Sequence, residues 1–252
     1  MITRKYTLLL FDIKDSNSVK SKRQLTKKQK LGLEKGRIKR EIKQFLNHEY
    51  DRILDYNRAV KWANKWRNDK FLILDTETTG LENTEIIEIA VINQDKQILI
   101  NTLVKPACFI PYEVIKIHSI TNEMVADAPC FTNIYDRLKE ILSNQNVLIY
   151  NTSFDHPIIN SECRRNELPR INFNSHCLME MYAIFMGEYS GYYDDYKWQP
   201  LNGGHRALDD CLRAFEVLEE MADSTIDIVE YLYDIFSDSI LTKEEICHCY
   251  QE

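Results

Sequence analysis

Glycine and proline are scarce, at 7 and 6 among 252 residues. That excludes collagen-like, linker-dominated and low-complexity architectures. No apolar run approaches the roughly 18–20 residues of a membrane span, so no membrane partner is expected. The N-terminal run Tyr6–Phe11 is interrupted by Asp12 and followed by Lys14, too short for a secretory signal. The 7 cysteines are odd in number and scattered, without secreted-domain spacing, and read as reduced thiols in a cytoplasmic protein. Cys247, His248 and Cys249 are neighbours without the spacing of a chelating pair, and read as helix packing. No glycine pattern of a nucleotide-binding loop is present.

What is present is the composition of a globular protein, 44% hydrophobic and 28% charged. The net charge of -7 conceals an asymmetry. Residues 1–68 carry 19 Lys+Arg against 7 Asp+Glu, or +12. The rest carry 13 against 32, or -19. A basic arm on an acidic body suits a polyanion partner, and equally suits a solvated helix packed on its own acidic neighbour.

Hydrophobic periodicity divides the chain further. Tyr6–Ile13 is a short apolar run. From Ile38 to Ala63, apolar residues recur at three- and four-residue steps, and Trp62 and Trp66 close this long helix. At Lys70 the pattern becomes strands: Phe71–Asp75, Glu85–Ile92 and Gln97–Val104, with Asn93–Lys96 as a hairpin turn. Phe131–Leu142 is an amphipathic helix, Val147–Tyr150 a strand, and a helix lies around Pro157 to Asn166. His176–Met186 is a strand or short helix. Residues 188–204 form a loop, and a helix runs on to about Ala222. Its four tyrosines and Trp198 could stack on a single strand or pack on the body. The tail carries helical patterns at Ile226–Phe236 and Lys243–Tyr250, the second opened by a Thr242–Glu245 capping box. Strands in a meander, then alternating strands and helices, imply an α/β fold with a mixed sheet. The expected organisation is a basic helical extension at 1–68, a catalytic domain at 69–223 and a helical tail at 224–252.

Three stretches carry chemistry. In Asp75-Thr76-Glu77-Thr78-Thr79-Gly80-Leu81, a strand ends on two acids two residues apart. A strand's period of two turns both to one face, with Cα atoms about 6.6 Å apart. Such acids repel each other, and a hard cation is the simplest partner. In Asn151-Thr152-Ser153-Phe154-Asp155-His156-Pro157, Asp155 taken alone reads as a helix cap or first-turn acid. In His205-Arg206-Ala207-Leu208-Asp209-Asp210, a helical wheel puts Asp210 among Ala214, Val217 and Met221. Asp209 falls with the charged residues. An inward carboxylate needs a partner or a metal. His205, in a glycine-containing loop, is either a surface histidine or a general base.

Together the three stretches resemble the exonuclease motifs of the DEDDh 3′–5′ exonucleases, the superfamily of bacterial replicative proofreading subunits, RNase T and oligoribonuclease. Asp75 and Glu77 match the first motif, Asp155 the second, His205 and Asp210 the third. The resemblance covers roughly residues 70–222. It implies an RNase H-like fold and two divalent cations, Mg²⁺ or Mn²⁺, held by the four acids. It also implies His205 as general base and release of nucleoside 5′-monophosphates from single-stranded or frayed DNA or RNA ends. By the same resemblance Thr78 holds the terminal hydroxyl, Leu81 and Phe154 contact the last bases, and His118 approaches the nucleotide. A polymerase or another protein partner is expected. The alternative is a nucleic-acid-binding or polymerase-associated module with little turnover of its own.

Overall fold

The computed structural model describes residues 25–81, 84–224, 232–234, 236 and 239–251. The apolar run at 6–13 and most of the pattern at 226–236 lie outside them.

Helix α1 (Lys27–Arg67) opens on a Thr26–Gln29 capping box. The sheet follows: β1 (Leu72–Thr78), β2 (Ile86–Asn93), β3 (Ile98–Leu103), β4 (Asn146–Ile149) and β5 (Asn174–Cys177). Its order is β3-β2-β1-β4-β5. The first three strands form the antiparallel meander, while β4 and β5 run parallel to β1. Helices α2 (Tyr112–His118), α3 (Asn122–Val125) and α4 (Phe131–Leu142) lie between β3 and β4. Helix α5 (Thr152–Arg165) follows β4, and α6 (Leu178–Met186) follows β5. Helices α7 (Ala207–Asp223) and α8 (Lys243–Gln251) complete the chain. His176–Met186 thus contains both a strand end and a helix. The 188–204 loop contains a small hairpin, β6 (Tyr189–Ser190) and β7 (Asp195–Tyr196).

The pleat of β1 sorts the core into two layers. Ile73 faces α1, α6 and α7, in a cluster holding Ala63, Trp66, Leu178, Val217 and Met221. Leu72 and Leu74 face α4 and α5, with Leu138, Leu142, Ile158 and Ile159. The end of α1 is therefore part of the same core as β1, because Trp66 is 1% exposed and Ala59 and Ala63 are fully buried. The start of α1 instead forms a small cluster with the tail, where Ile38, Ile42 and Leu46 meet Leu232, Leu241 and Ile246. Lys35 Nζ sits 2.7 Å from Glu245 there. The Thr242–Glu245 capping box is formed in both directions.

Candidate active site

The two-layer sorting decides where each acid goes. Asp75 and Glu77 continue the odd-numbered face of Ile73, so they point toward α7. Small residues let α7 approach closely there. Ala90 lies opposite Asp75 across β1 and β2, and Cys211 Sγ reaches the Ile73 and Ala90 carbonyls. Asp210, in the first turn of α7, is brought onto the same spot. Ligand oxygens of Asp75, Glu77 and Asp210 all lie within 4.8 Å of one another. Among the described residues this is the one group of three or more such side chains that could hold a metal ion. Asp209 is exposed and Asp210 half-buried, as the wheel requires.

Asp155 arrives from the other layer. It sits in the first turn of α5, which begins at Thr152 and carries Pro157 inside it. It is 3% exposed. Thr76, on the even face of β1, donates to Asp155 Oδ1 from its backbone N–H at 3.1 Å and its hydroxyl at 2.6 Å. Three acids therefore gather tightly, while the fourth is held beside them by Thr76.

Burial pushes the Asp75 carboxyl well above the ordinary range, reinforced by Asp155, Asp210 and Glu77. Burial, then Asp210 and Glu88, lift Glu77 to about 8. Asp155 rises to about 7 through burial, against the two bonds from Thr76. Burial raises Asp210 too, with His205 pulling it back. Asp210 Oδ1 is buried and has no hydrogen-bond partner among the described residues. Like-charged, desolvated oxygen donors with an orphaned lone pair fit a hard divalent cation, which would neutralise all of them.

His205 is exposed and lies at φ 59°, in the left-handed region. Its loop is fixed by residues that the sequence reading did not single out. Arg206 Nε and Nη2 donate to the Glu88 carboxylate at 2.5–3.2 Å. Glu88 Oε2 also accepts the Ala207 N–H at 3.0 Å, which occupies the free start of α7. Glu88 is 3% exposed and directly opposite Glu77, where the β1–β2 register shifts. Arg206 thus neutralises a buried acid beside Glu77 and anchors His205 through the adjoining peptide. Gly203 is a second missed residue. A Cβ there would lie 1.8 Å from Asp210 Oδ1. The signals available were the Arg next to His205 and the Gly203-Gly204 pair.

The remaining expected residues differ in exposure. Thr78 is buried, and its hydroxyl donates to the Gly80 carbonyl at 3.1 Å. Leu81 is 85% exposed, and Phe154 is partly buried against the α4–α5 layer. His118 is 2% exposed, and its Nδ1 accepts the Ile120 N–H at 2.9 Å. Burial lowers its pKa, opposed by the Thr78 backbone and by Glu88.

The RNase T family model, described as an exonuclease, matches residues 72–218. An exonuclease of Escherichia phage 186 is 35% identical over 179 residues, covering 64% of this chain and 92% of that protein. The DNA polymerase III subunit epsilon of Treponema pallidum is 30% identical over 168 residues, covering 60% of this chain and 75% of the subunit. Exonuclease I of E. coli, in a zinc-bound complex with single-stranded DNA, matches with a TM-score of 0.51 and 16% identity. That match spans 66% of this chain and 43% of the other, and is a likeness of fold.

Proposed function

The chain belongs to the DEDDh-type 3′–5′ exonucleases, and from that premise we propose how its own residues divide the work. Asp75, Glu77, Asp155 and Asp210 hold two divalent cations, Mg²⁺ or Mn²⁺. When bound, these polarise the scissile phosphate and stabilise the attacking and leaving oxygens. The observation that carries this reading is the tight group of Asp75, Glu77 and Asp210, all three with raised pKa values.

Asp75 lies centrally and faces both Asp155 and Asp210. Thr76 keeps the Asp155 carboxylate turned inward. His205 accepts the proton of the attacking water at its exposed imidazole. Glu88 and Arg206 position it. The backbone at Thr78 holds the terminal 3′ hydroxyl, while Leu81 and Phe154 border the last bases and His118 the nucleotide.

The substrate is a single-stranded or frayed nucleic-acid end, DNA or RNA, in the cytoplasm. The similarity to a polymerase III epsilon subunit supports a polymerase as protein partner. The catalytic domain is residues 69–223, with a basic extension at 1–68 and a tail at 224–252, and α1 of the extension packs on both the catalytic domain and the tail. The test is hydrolysis of a 5′-labelled oligonucleotide with Mg²⁺ or Mn²⁺. Stepwise shortening from the 3′ end, abolished by chelator and by Asp75→Asn, is expected. Shortening from the 5′ end, or full activity in chelator, would overturn the assignment.

A further inference from the structure

The segment between α6 and α7 joins the long basic helix to the catalytic loop, and it carries three of the five most exposed aromatic rings among the described residues. Tyr192 is 88%, Tyr193 76% and Trp198 67% exposed. Such rings are costly to leave in water without a use. The hairpin beneath them is nevertheless firmly tied. The Tyr196 hydroxyl donates to Asp55 of α1 at 2.9 Å. Tyr56 stacks on Phe185 with centroids 5.0 Å apart. On the other side, the Gln199 carbonyl accepts the Tyr150 hydroxyl at 2.5 Å, and the Leu201 carbonyl accepts Arg213 Nε at 3.2 Å. Gly203 then packs on Asp210. The hairpin's acids are engaged: Asp194 accepts the Tyr189 hydroxyl, and Asp195 the Tyr196 N–H.

The helix placement completes the surface. Arg67 and Asn64, near the end of α1, bond Asp223 and the Ala222 carbonyl at the end of α7. The two helices pack side by side in the same sense, so moving back along α1 leads toward the end of α7 that bears Asp210. From Arg67 to Asp55 is about 18 Å and from Asp223 to Asp210 about 20 Å, at 1.5 Å per residue. Asp55 therefore lies toward the Asp210 end of α7. The helix continues beyond it to Lys27 for about 42 Å. Between Lys27 and Leu46 stand eight basic residues against Glu34 and Glu41. Lys27, Lys28 and Lys30 are exposed.

We propose that the Tyr192–Tyr193–Trp198 hairpin and the basic start of α1 form one docking track for single-stranded DNA upstream of the 3′ end being cleaved. Bases stack on the three rings, and phosphates further back meet the lysines of α1. The charge supports this occupant. Residues 69–252 carry a net -19 while residues 1–68 carry +12, so the long-range attraction for a polyanion comes from the α1 end of the chain. Aromatic rings followed by a cationic stripe are the pattern that holds unpaired strands with little sequence preference.

The inference rests on the exonuclease reading, and its test does not depend on cleavage. Binding of labelled dT20 and dT4 is measured by anisotropy on the full chain carrying Asp75→Asn, at several salt concentrations. Adding Tyr192→Ala with Trp198→Ala is expected to weaken dT20 by about tenfold or more, and dT4 by less than twofold. Lys27→Glu, Lys28→Glu and Lys30→Glu together should flatten the log–log salt slope for dT20 by about 2, at about 0.7 per contact. In the Asp75-containing protein, the same variants should cleave dT4 at the parental rate. Unchanged dT20 affinity and salt slope would overturn the track, and so would equal losses for dT4 and dT20. Tighter binding of rU20 than dT20 would overturn the assignment to DNA. Failure of the parent to cleave dT4 with Mg²⁺ would instead sink the exonuclease reading and leave the binding result standing. All substituted side chains are exposed, so matching melting temperatures check that the variants fold.

Discussion

The acid pocket and the start of α1 treat like charges in opposite ways. In the pocket, three carboxylates converge within 4.8 Å, and burial is the largest cause of every raised pKa. On the start of α1, Lys27, Lys28 and Lys30 are exposed to water, Lys35 pairs with Glu245, and Arg37 is steadied by Glu34 and Glu41. The same density of charge is costly where water is excluded and cheap where it is not. The difference teaches where a counter-ion is obligatory: in the pocket the protein needs cations to hold its acids ionised, whereas the helix can wait for a polyanion.

The largest expected effect breaks the pocket at a single position. Asp210→Asn should abolish turnover while Asp209→Asn, one residue away and exposed, retains most of it. A dead Asp209→Asn with an active Asp210→Asn would mean that the register of α7 is misassigned. His205→Ala should slow kcat by about 10²–10⁴-fold, with divalent-ion affinity, measured by calorimetry, nearly unchanged.

The next effect tests where α1 changes role. Trp66→Ala should cost about 3–5 kcal/mol in denaturant unfolding, because the ring lies in the core of the sheet. Deleting residues 1–68 removes that ring and should unfold the catalytic domain. Lys35→Ala at the other end breaks only a partly exposed pair and should cost about 1 kcal/mol or less.

Smaller again is the Glu88–Arg206 pair. Arg206→Ala strands a buried carboxylate, so it should destabilise more than Glu88→Gln. The cost stays below the ~3–5 kcal/mol of a fully buried pair, since the Arg206 side chain is 41% exposed. Both variants should lower kcat more than they raise KM for dT4, and their effects in the double variant should not add. Purely additive losses would separate the pair from His205.

The smallest effect is a pH dependence of the metal-free protein. Glu77 and Asp155 have folded pKa values of about 8 and about 7, above their ordinary values near 4. Their folded forms hold protons that the unfolded chain has released. The stability they contribute is fully present below pH 4 and is lost as pH rises through 7 and 8. The melting temperature in chelator should therefore fall from pH 5 to 8, and Mg²⁺ should restore it most at the high end. Cation affinity itself should increase over the same interval, as the acids lose their protons.

Much of this was legible in the sequence because it is periodic. The period of two in Ile73, Asp75 and Glu77 fixed their common face, and the wheel of α7 separated Asp210 from Asp209. Phe131–Leu142 stands as a helix with those bounds. The Asp155 environment was less legible, because its bonds come from Thr76, 79 residues away. Glu88 was hidden for a similar reason: it reads as one polar break in the apolar run Ile86–Ile92, and only pairing with β1 and α7 shows its use. The role of α1 divides at a point that charge does not mark. Basic residues run through both halves, but only contacts with Ile73 and Val217 show that the second half is core.

One consequence follows from the empty side of Gly203. A single methyl group there would stand 1.8 Å from Asp210 Oδ1 and 2.8 Å from its Cγ. The exposed turn can shift its chain path without disturbing the sheet, but the carboxylate cannot stay where it is. Gly203→Ala is therefore a lesion that a thermal or expression screen would score as harmless and an activity screen as severe. It offers an inactive form in which all four acids are retained in the sequence but the Asp210 carboxylate is displaced from the group. It also makes this codon a site where purifying selection would act on catalysis alone.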